Sequence, residues 1–406
     1  MVNSGIPWIG EIPKSWRIIR NKNVFSNSKT LVGDAWNTTQ LLSLTTKGIK
    51  AVAIGSTSGK VPDSYDTYQV VEKDNIVMCL FDLDCSAVFS GLSPIRGMIS
   101  PAYKALTVKN GFLPDFYAKW FDYIFDGRKF MFLSKNIRYS LTYDEFASLQ
   151  VVAPSLSEQQ KIASFLDRKC AEIDEMIALQ EKIVEELKAY KHSVIIEAVT
   201  KGLNPDAPMK DSGIEWIGEI PESWRITTIG RLFRISAGGD AKWDIYSEKQ
   251  DEEHPYPVYT NTLDKNQSYA YTSTPIFNGD TITVTGRGDI GRAFYRETPF
   301  DAIIRLLVLE KRYMLDCRYF AYFINDAIHF FTNSAAIGQL SAVQVAPYNI
   351  CHPSLEEQTK IADYLDKKCI EIESLISIKL SKIDSLKEYK KSIIYEYVTG
   401  KKEITE

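Results

Sequence analysis

A chain of 406 residues exceeds what a single compact core accommodates and fits two domains or two repeats. With 45% hydrophobic and 25% charged residues and no low-complexity tract, it has an ordinary soluble composition, and no apolar run approaches the roughly 18 residues of a membrane span. The formal net charge of −4 argues against a strongly basic nucleic-acid binder, so any positive binding surface must be local or supplied by a partner.

In chain order, residues 1–7 (MVNSGIP) carry neither the basic nor the apolar region of a signal peptide, and a cytoplasmic location is expected. The six cysteines (Cys79, Cys85, Cys170, Cys317, Cys351 and Cys369) form no CxxC pair and no disulfide-like framework, which agrees with that expectation. A distinctive segment follows at 4–18, SGIPWIGEIPKSWRI. Residues 75–81 (NIVMCLF), β-rich and bounded by polar turns, predict a strand, and the aromatic-rich stretch 113–132 predicts a helix packed on a sheet. Between these lie polar loops at 45–60, 86–104 and 134–142 that mix cations with hydroxyl side chains. Over 19–152, Lys and Arg exceed Asp and Glu by only three.

A long helix comes next. Pro154 precedes Ser155-x-x-Glu158, a capping box, and no internal Pro or Gly interrupts the chain before Thr200. Gly202 and Pro205 then supply a stop. About 45 residues at roughly 1.5 Å rise make a rod on the order of 65 Å, longer than a compact domain needs. Apolar residues near heptad spacing (Leu166, Ile173, Met176, Ile183, Leu187, Tyr190 and Val194) predict a pairing seam, interrupted by Lys169 and Gln180.

The second half repeats this frame. Residues 212–226 read SGIEWIGEIPESWRI, differing from 4–18 only at Pro7/Glu215 and Lys14/Glu222, at an offset of 208. PSLSEQQKIASFLDRKCAEIDEMI (154–177) recurs as PSLEEQTKIADYLDKKCIEIESLI (353–376), at an offset of 199. LKAYKHSVIIEAVT from Leu187 likewise recurs as LKEYKKSIIYEYVT from Leu386, and Gly400 provides the stop. The second seam is Leu365, Ile372, Leu375, Leu386, Tyr389 and Ile393, interrupted by Lys368 and Lys379. The inserts 19–153 and 227–352 do not align. In the second, 281–285 (TITVT), 294–295 and 303–309 predict strands, 315–331 predicts a helix, and acids outnumber bases by two.

These elements predict an α+β fold of two mixed α/β domains separated by long antiparallel paired helices with pseudo-two-fold internal symmetry. The expected boundaries are 1–153 for the first domain, 154–203 for the first long helix, 204–352 for the second domain with its lead-in, and 353–406 for the second helix. Like frames point to pairing with each other or with two copies of one partner; unlike inserts point to two recognition tasks.

Catalytic motifs are absent. Gly286-Arg287-Gly288-Asp289-Ile290-Gly291 fits G-x-G-x-x-G, but residues 292–296 read as a strand where a dinucleotide site needs a helix. The segment 55–60 is one residue short of a phosphate loop, and 114–128 offers Arg where a nuclease array needs Lys. The four histidines show no zinc spacing with the cysteines, and no methyltransferase tetrad is present.

The W-I-G-E-I-P-x-S-W and P-S-L-x-E-Q-x-K-I-A-x-[FY]-L-D segments, each present twice, closely resemble the specificity subunits of type I restriction–modification systems over the whole chain. The resemblance implies that each insert is a target-recognition domain reading one half of a bipartite, asymmetric DNA site. The helices would then set the spacing between the halves. It implies a non-catalytic, DNA-binding chain without cofactors of its own. Its partners would be double-stranded DNA, two methyltransferase subunits that bind S-adenosylmethionine, and restriction subunits that use ATP and Mg, with no membrane. Ser100-Pro101-Ala102-Tyr103 and the Gly-rich loop resemble elements of such domains, although Asp289 stands where small polar residues are common. Two other readings stay open: a coiled-coil scaffold without a nucleic-acid role, and a stand-alone DNA-modifying enzyme lacking recognisable motifs.

Base-edge and phosphate contacts need donor and acceptor side chains beside cations. In the first insert the candidates are Lys47, Lys50, Ser56, Lys60, Arg96 and Lys104, with Lys135, Arg138, Tyr139 and Ser140. In the second they are Tyr259, Thr260 and Asn261; Arg287, Asp289 and Arg292 in the Gly-rich loop; and Gln339 and Ser341.

Overall fold

The two halves of the repeat make the same contacts, which is why their residues recur. In the computed structural model, which describes residues 1–27, 29–46, 48–55, 62–134, 139–330 and 338–404, the chain divides into two units. One comprises Met1–Glu181 with Ser381–Glu406, the other Lys182–Leu380. The division cuts both long helices, Leu156–Lys201 and Leu355–Val398. Each unit therefore holds the start of one helix and the end of the other.

In the first unit, Glu158 of the predicted capping box accepts from Ser155 N at 3.0 Å, and the Ser155 hydroxyl accepts from Glu158 N at 3.3 Å. Trp16, from the first repeated segment, donates its indole N–H to the other Glu158 oxygen at 3.1 Å. In the second unit, Trp224 donates to Glu357 at 3.2 Å. Gln159 is fully buried: its amide donates to Pro154 O at 2.9 Å and its oxygen accepts from Leu113 N at 2.8 Å, beside the helix Pro114–Asp126. Gln358 repeats this with Pro353 O and Asp316 N at 3.0 and 3.1 Å.

The repeated segments also close a two-stranded ladder. Arg17–Arg20 runs antiparallel to Gln150–Ala153, and Arg225–Thr228 to Asn349–His352. Asn21 N donates to Leu149 O at 2.8 Å just as Ile229 N donates to Tyr348 O at 3.0 Å. The two sequence offsets, 208 and 199, meet in these bonds. At the far helix ends Gly400, with φ of +69°, lies so close that a Cβ there would sit 2.4 Å from Pro13. Gly202 similarly faces Trp224 and Glu357. The helix stops are glycines because both backbones take a positive φ, +78° at Gly202 and +69° at Gly400, and at Gly400 the joint also leaves no room for a side chain.

The inserts share a strand order that their sequences hide. The first unit has the antiparallel order Phe25–Asn27, Lys104–Val108, Ile76–Met78, Ser90–Leu92. The second has Phe233–Ala237, Leu307–Lys311, Thr281–Val284, Ala293–Arg296. A second four-stranded sheet in each pairs a hairpin with a parallel strand: Gly48–Val52, Leu41–Thr45 and Gly97–Ile99 match Ala270–Thr272, Tyr256–Tyr259 and Asp301–Ala302. The fourth strand lies on opposite edges, Gln69–Val71 in one and Tyr246–Ser247 in the other. The predicted helix 315–331 is shorter than expected: Cys317–Tyr322 passes into a π turn, Phe323–Ala327, where Asn325 accepts from Ala293 N at 3.2 Å. The aromatic helix Pro114–Asp126 packs Phe116, Tyr117, Trp120 and Phe121 into the first core. The cysteines are free thiols, all buried except Cys85.

Within the first unit the helices run antiparallel, since Phe165 lies against Tyr397 with ring centroids 4.5 Å apart and Lys390 pairs with Asp174 at 2.7 Å. In the second, Lys191 pairs with Glu373, and Ile195, Ala198 and Val199 share a core with Ile361, Ala362, Leu365 and Cys369. The seam differs in phase from the predicted one. Leu166, Ile173, Leu365, Ile372 and Ile393 are buried, and Ile183, Leu187 and Leu386 are half-buried. Met176, Tyr190, Leu375 and Tyr389 instead turn outward, 43 to 55% exposed. The positions between are Cys170, Ile177, Gln180 and Val184 on one helix and Cys369, Ile376, Lys379 and Ile383 on the other, a strict 4–3 alternation. Lys169 and Lys368 lie beside it, paired with Glu172 and Glu371. Outward apolar residues had pulled the expected heptad one position off.

Replacing Gln159 with Leu should leave the Leu113 N–H without its acceptor and cost about 1–3 kcal/mol, read as a lower urea midpoint. Gln358→Leu should act equally on the Asp316 N–H. An unchanged midpoint for both would remove these glutamines from the joint.

Candidate functional site

In the second unit three separate stretches of sequence converge on one loop. Thr281–Val284 and Ala293–Arg296 form a hairpin, so the G-x-G-x-x-G segment is a strand–turn–strand loop, as its sequence predicts. Thr285 closes its base: Gly291 N donates to Thr285 O at 2.9 Å and Arg292 N to the Thr285 hydroxyl at 2.9 Å. That hydroxyl donates in turn to Asp289 O. Gly291, at φ of +91°, sits where a Cβ would come 2.7 Å from the Phe330 ring, so only glycine fits.

Asn261 braces the loop from one side. Its Oδ1 accepts from Gly286 N at 2.7 Å and Arg287 N at 3.2 Å, while its Nδ2 donates to Ile304 O at 2.7 Å. The amide is thus committed internally. From the other side Leu340, fully buried, donates its N–H to Gly286 O at 2.8 Å. This places Gln339, whose Oε1 accepts from Arg287 Nη2 at 3.2 Å. Ser341 caps the helix Ala342–Val345 in a box with Gln344.

Tyr259 and Thr260 stand at the end of the strand Tyr256–Tyr259. The Tyr259 ring is held by the Arg296 guanidinium, 3.6 Å from its centroid, and lies against Phe300. Arg296 itself is only 4% exposed; it donates to Thr283 Oγ1 at 3.0 Å and Lys265 O at 2.5 Å. Burial lowers its pKa from the usual value and Tyr259 opposes that shift; the group stays cationic. This arginine was not among the candidates, because a buried cation reads in sequence like any strand-end arginine. Arg292 is exposed and paired with Asp289 at 3.4 Å.

The candidates of the first unit are more dispersed. Lys50 lies exposed on Gly48–Val52, Lys104 begins Lys104–Val108, and Arg96 is exposed and paired with Glu72 at 3.2 Å. Tyr139, exposed with φ of +45°, offers its carbonyl to Leu83 N at 3.1 Å, and the carbonyl of Ser140 accepts from the Ser134 hydroxyl at 3.1 Å. Lys47, Ser56, Lys60, Lys135 and Arg138 lie outside the described residues.

A structural equivalent of the Gly-rich loop exists here too. It is the stretch 79–89, where Leu80 O accepts from Leu141 N at 2.8 Å as Gly286 O does from Leu340 N. Arg128 clamps it by donating to Leu83 O at 2.9 Å and Ser86 O at 3.2 Å. A signal for this was in the sequence: Leu141 and Leu340 are 199 apart, each followed by a capping residue, Thr142 or Ser341.

Among the described residues, no group of three or more His, Cys, Asp or Glu side chains is placed to hold a metal. No helix there is long and apolar enough to cross a membrane.

Residues 221–382 match the family model described as the type I restriction modification DNA specificity domain. Over those residues the chain is similar to the specificity domains of type I restriction–modification systems. A putative type I specificity subunit of Mycoplasma pneumoniae is 31% identical over 133 residues, 33% of this chain and 39% of that one. A type I restriction enzyme specificity subunit of Methanocaldococcus jannaschii is 23% identical over 372 residues, 82% of this chain and 80% of that one. Coverage of other curated relatives is less complete, the chain spanning 61% of a second M. jannaschii specificity subunit and 55% of another from M. pneumoniae.

Two solved structures share the fold of this chain. One, described as the structural basis of complex assembly and conformational transition of the type I R-M system, matches with a TM-score of 0.75 at 14% identity, covering 96% of this chain and 98% of that one. The crystal structure of the HsdS subunit from Thermoanaerobacter tengcongensis matches at 0.53 and 16% identity, with the same coverage.

Asn261→Ala should release the Gly286 and Arg287 amides. Their hydrogen exchange should quicken about tenfold or more, on about 1 kcal/mol per lost bond, while the core amide of Val308 stays protected. Equal protection in the variant would show that the loop holds itself.

Proposed function

We propose that this chain is the non-catalytic DNA-reading subunit of a type I restriction–modification complex, each unit's insert reading one half of a bipartite, asymmetric duplex site. The observation that carries the reading is the pairing of identical joints with dissimilar loops. Trp16–Glu158 and Trp224–Glu357 fix two readers to two helices by the same bonds. The loops they carry differ in charge and shape: Gly286 to Arg292 in one unit, Leu80 to Phe89 with Asp82 and Asp84 in the other. One frame holding two different reading surfaces suits a target whose halves differ.

On this reading the long helices set the spacing between half-sites, and their like frames dock two methyltransferase subunits in equivalent ways. Those subunits carry S-adenosylmethionine, and restriction subunits carry ATP and Mg; this chain supplies recognition and no chemistry. The complex acts in the cytoplasm. A net charge of −4 gives weak general attraction to phosphates, so the partners contribute cationic surface around the duplex. Arg287, Lys50 and Lys104 supply local positive charge here.

Sequencing of methylated adenine in cells that co-express this chain with its modification subunit tests the proposal. A single non-palindromic motif with two defined halves and a fixed undefined spacer is expected. In the double variant Arg287→Ala, Arg292→Ala, methylation should fall while the modification subunit still co-purifies. Absence of any new methylated motif with the unaltered chain would overturn the DNA-reading role.

A further inference from the structure

Three of the arginines near the Gly-rich loop are held in different ways. Arg296 is buried beneath Tyr259, and Arg292 is neutralised by Asp289. Arg287 is exposed, and among the described residues no carboxylate pairs with it. Its guanidinium is instead held by a neutral amide, Gln339 Oε1, at 3.2 Å. Its backbone N–H is fixed by Asn261, and Gln339 is carried by a residue run anchored through buried Leu340. The side chain is thereby oriented without losing its charge.

The backbone on either side is shaped for close approach. Gly286 is packed so tightly that a Cβ would meet Arg305 O at 2.9 Å, which pins the loop down. Gly288, at φ of +73°, has open space where a Cβ would point. Arg287 therefore projects beside bare backbone. A guanidinium has five N–H donors in a planar fork; with one spent on Gln339, an edge remains for two adjacent acceptors. In a duplex major groove that pattern is guanine O6 and N7. A phosphate also accepts a fork, but a point charge serves it nearly as well, and it needs no neutral group to set the plane.

We infer that Arg287 is the guanine-reading residue of the second unit, with Gln339 as the positioning residue that sets its plane; this rests on the DNA-reading role proposed above. The methylated motif of the unaltered chain must then contain a G·C pair in one half. Arg287→Lys keeps the charge and removes the fork, so preference for guanine at that one position should fall about tenfold or more, the other positions staying defined. Gln339→Ala should relax the same position to a smaller degree. Co-purification of the modification subunit checks that each variant assembles.

Three results overturn the inference: a motif without such a G·C pair, an unchanged motif in Arg287→Lys, or methylation that weakens evenly over all sites with the motif intact, which marks a phosphate contact. A lack of any motif in the unaltered chain is a different result, because it removes the DNA-reading role itself.

Discussion

The fold depends on a hydrogen bond from an indole N–H to the carboxylate of a helix-capping glutamate. Glu158 and Glu357 sit in the first turn of their helices, where backbone N–H groups lack intrahelical partners and the helix end is positive. A carboxylate there serves the helix alone in an ordinary protein. Here Trp16 and Trp224 bond to it, and in the first unit the same carboxylate closes the capping box with Ser155, so the helix start is defined by the group that seats the repeated segment. Burial raises the Glu158 carboxyl pKa and the bonds from Ser155 and Trp16 outweigh that, holding it below its usual value. Gln159 and Gln358, one residue on, extend the joint to the insert. Helix, frame and insert meet within two residues. Movement of an insert about its helix would break several of these bonds together.

The joint also explains the wiring of the chain. The first unit needs Gly400 and Val398 from the end of the chain, and the second needs Val199 and Gly202 from its middle. Each core is completed by the helix that begins in the other unit. Such contacts span up to about the whole chain, and their loop-closure entropy is offset only once both helices are formed. The 4–3 alternation around Leu166, Cys170 and Ile173, and again around Leu365, Cys369 and Ile372, is what makes that offset available, each fully buried aliphatic contributing about 1.5–3 kcal/mol.

The frame was legible in the sequence because its constraints are local and were written twice. Ser155 with Glu158, the Pro before them and the glycine after the rod are short-range chemistry. Their recurrence 199 residues later excluded accident. The seam phase was less legible, since Met176, Tyr190, Leu375 and Tyr389 are apolar yet point outward, while Cys170, Gln180 and Lys379 occupy seam positions. Hydrophobicity alone cannot tell a seam from an apolar outer stripe one residue away. The sheet order was hidden for another reason. Its strands are two to five residues long and pair across up to about eighty residues, and their parallel pairs leave no hairpin signal. The Gly-rich loop was readable as a turn, but Asn261 and Leu340, which hold it, come from distant stretches that only the fold unites.

The charge pattern of the second unit bears on how a weakly acidic chain would discriminate among sequences. Attraction to phosphate is indifferent to sequence, and it grows with every free cation on the surface. Around the Gly-rich loop Arg292 is paired with Asp289, and Arg296 is buried with Thr283 Oγ1 and Lys265 O as acceptors, which leaves Arg287 and Arg305 exposed without a carboxylate partner among the described residues. Suppressing free charge lowers general affinity, yet it leaves the directional bonds of the remaining donors intact, and those bonds separate one base pair from another. On the proposed function the ratio of specific to general binding is therefore raised by subtraction. The cost is weak binding by the chain alone, which suits a subunit whose partners bring the positive surface.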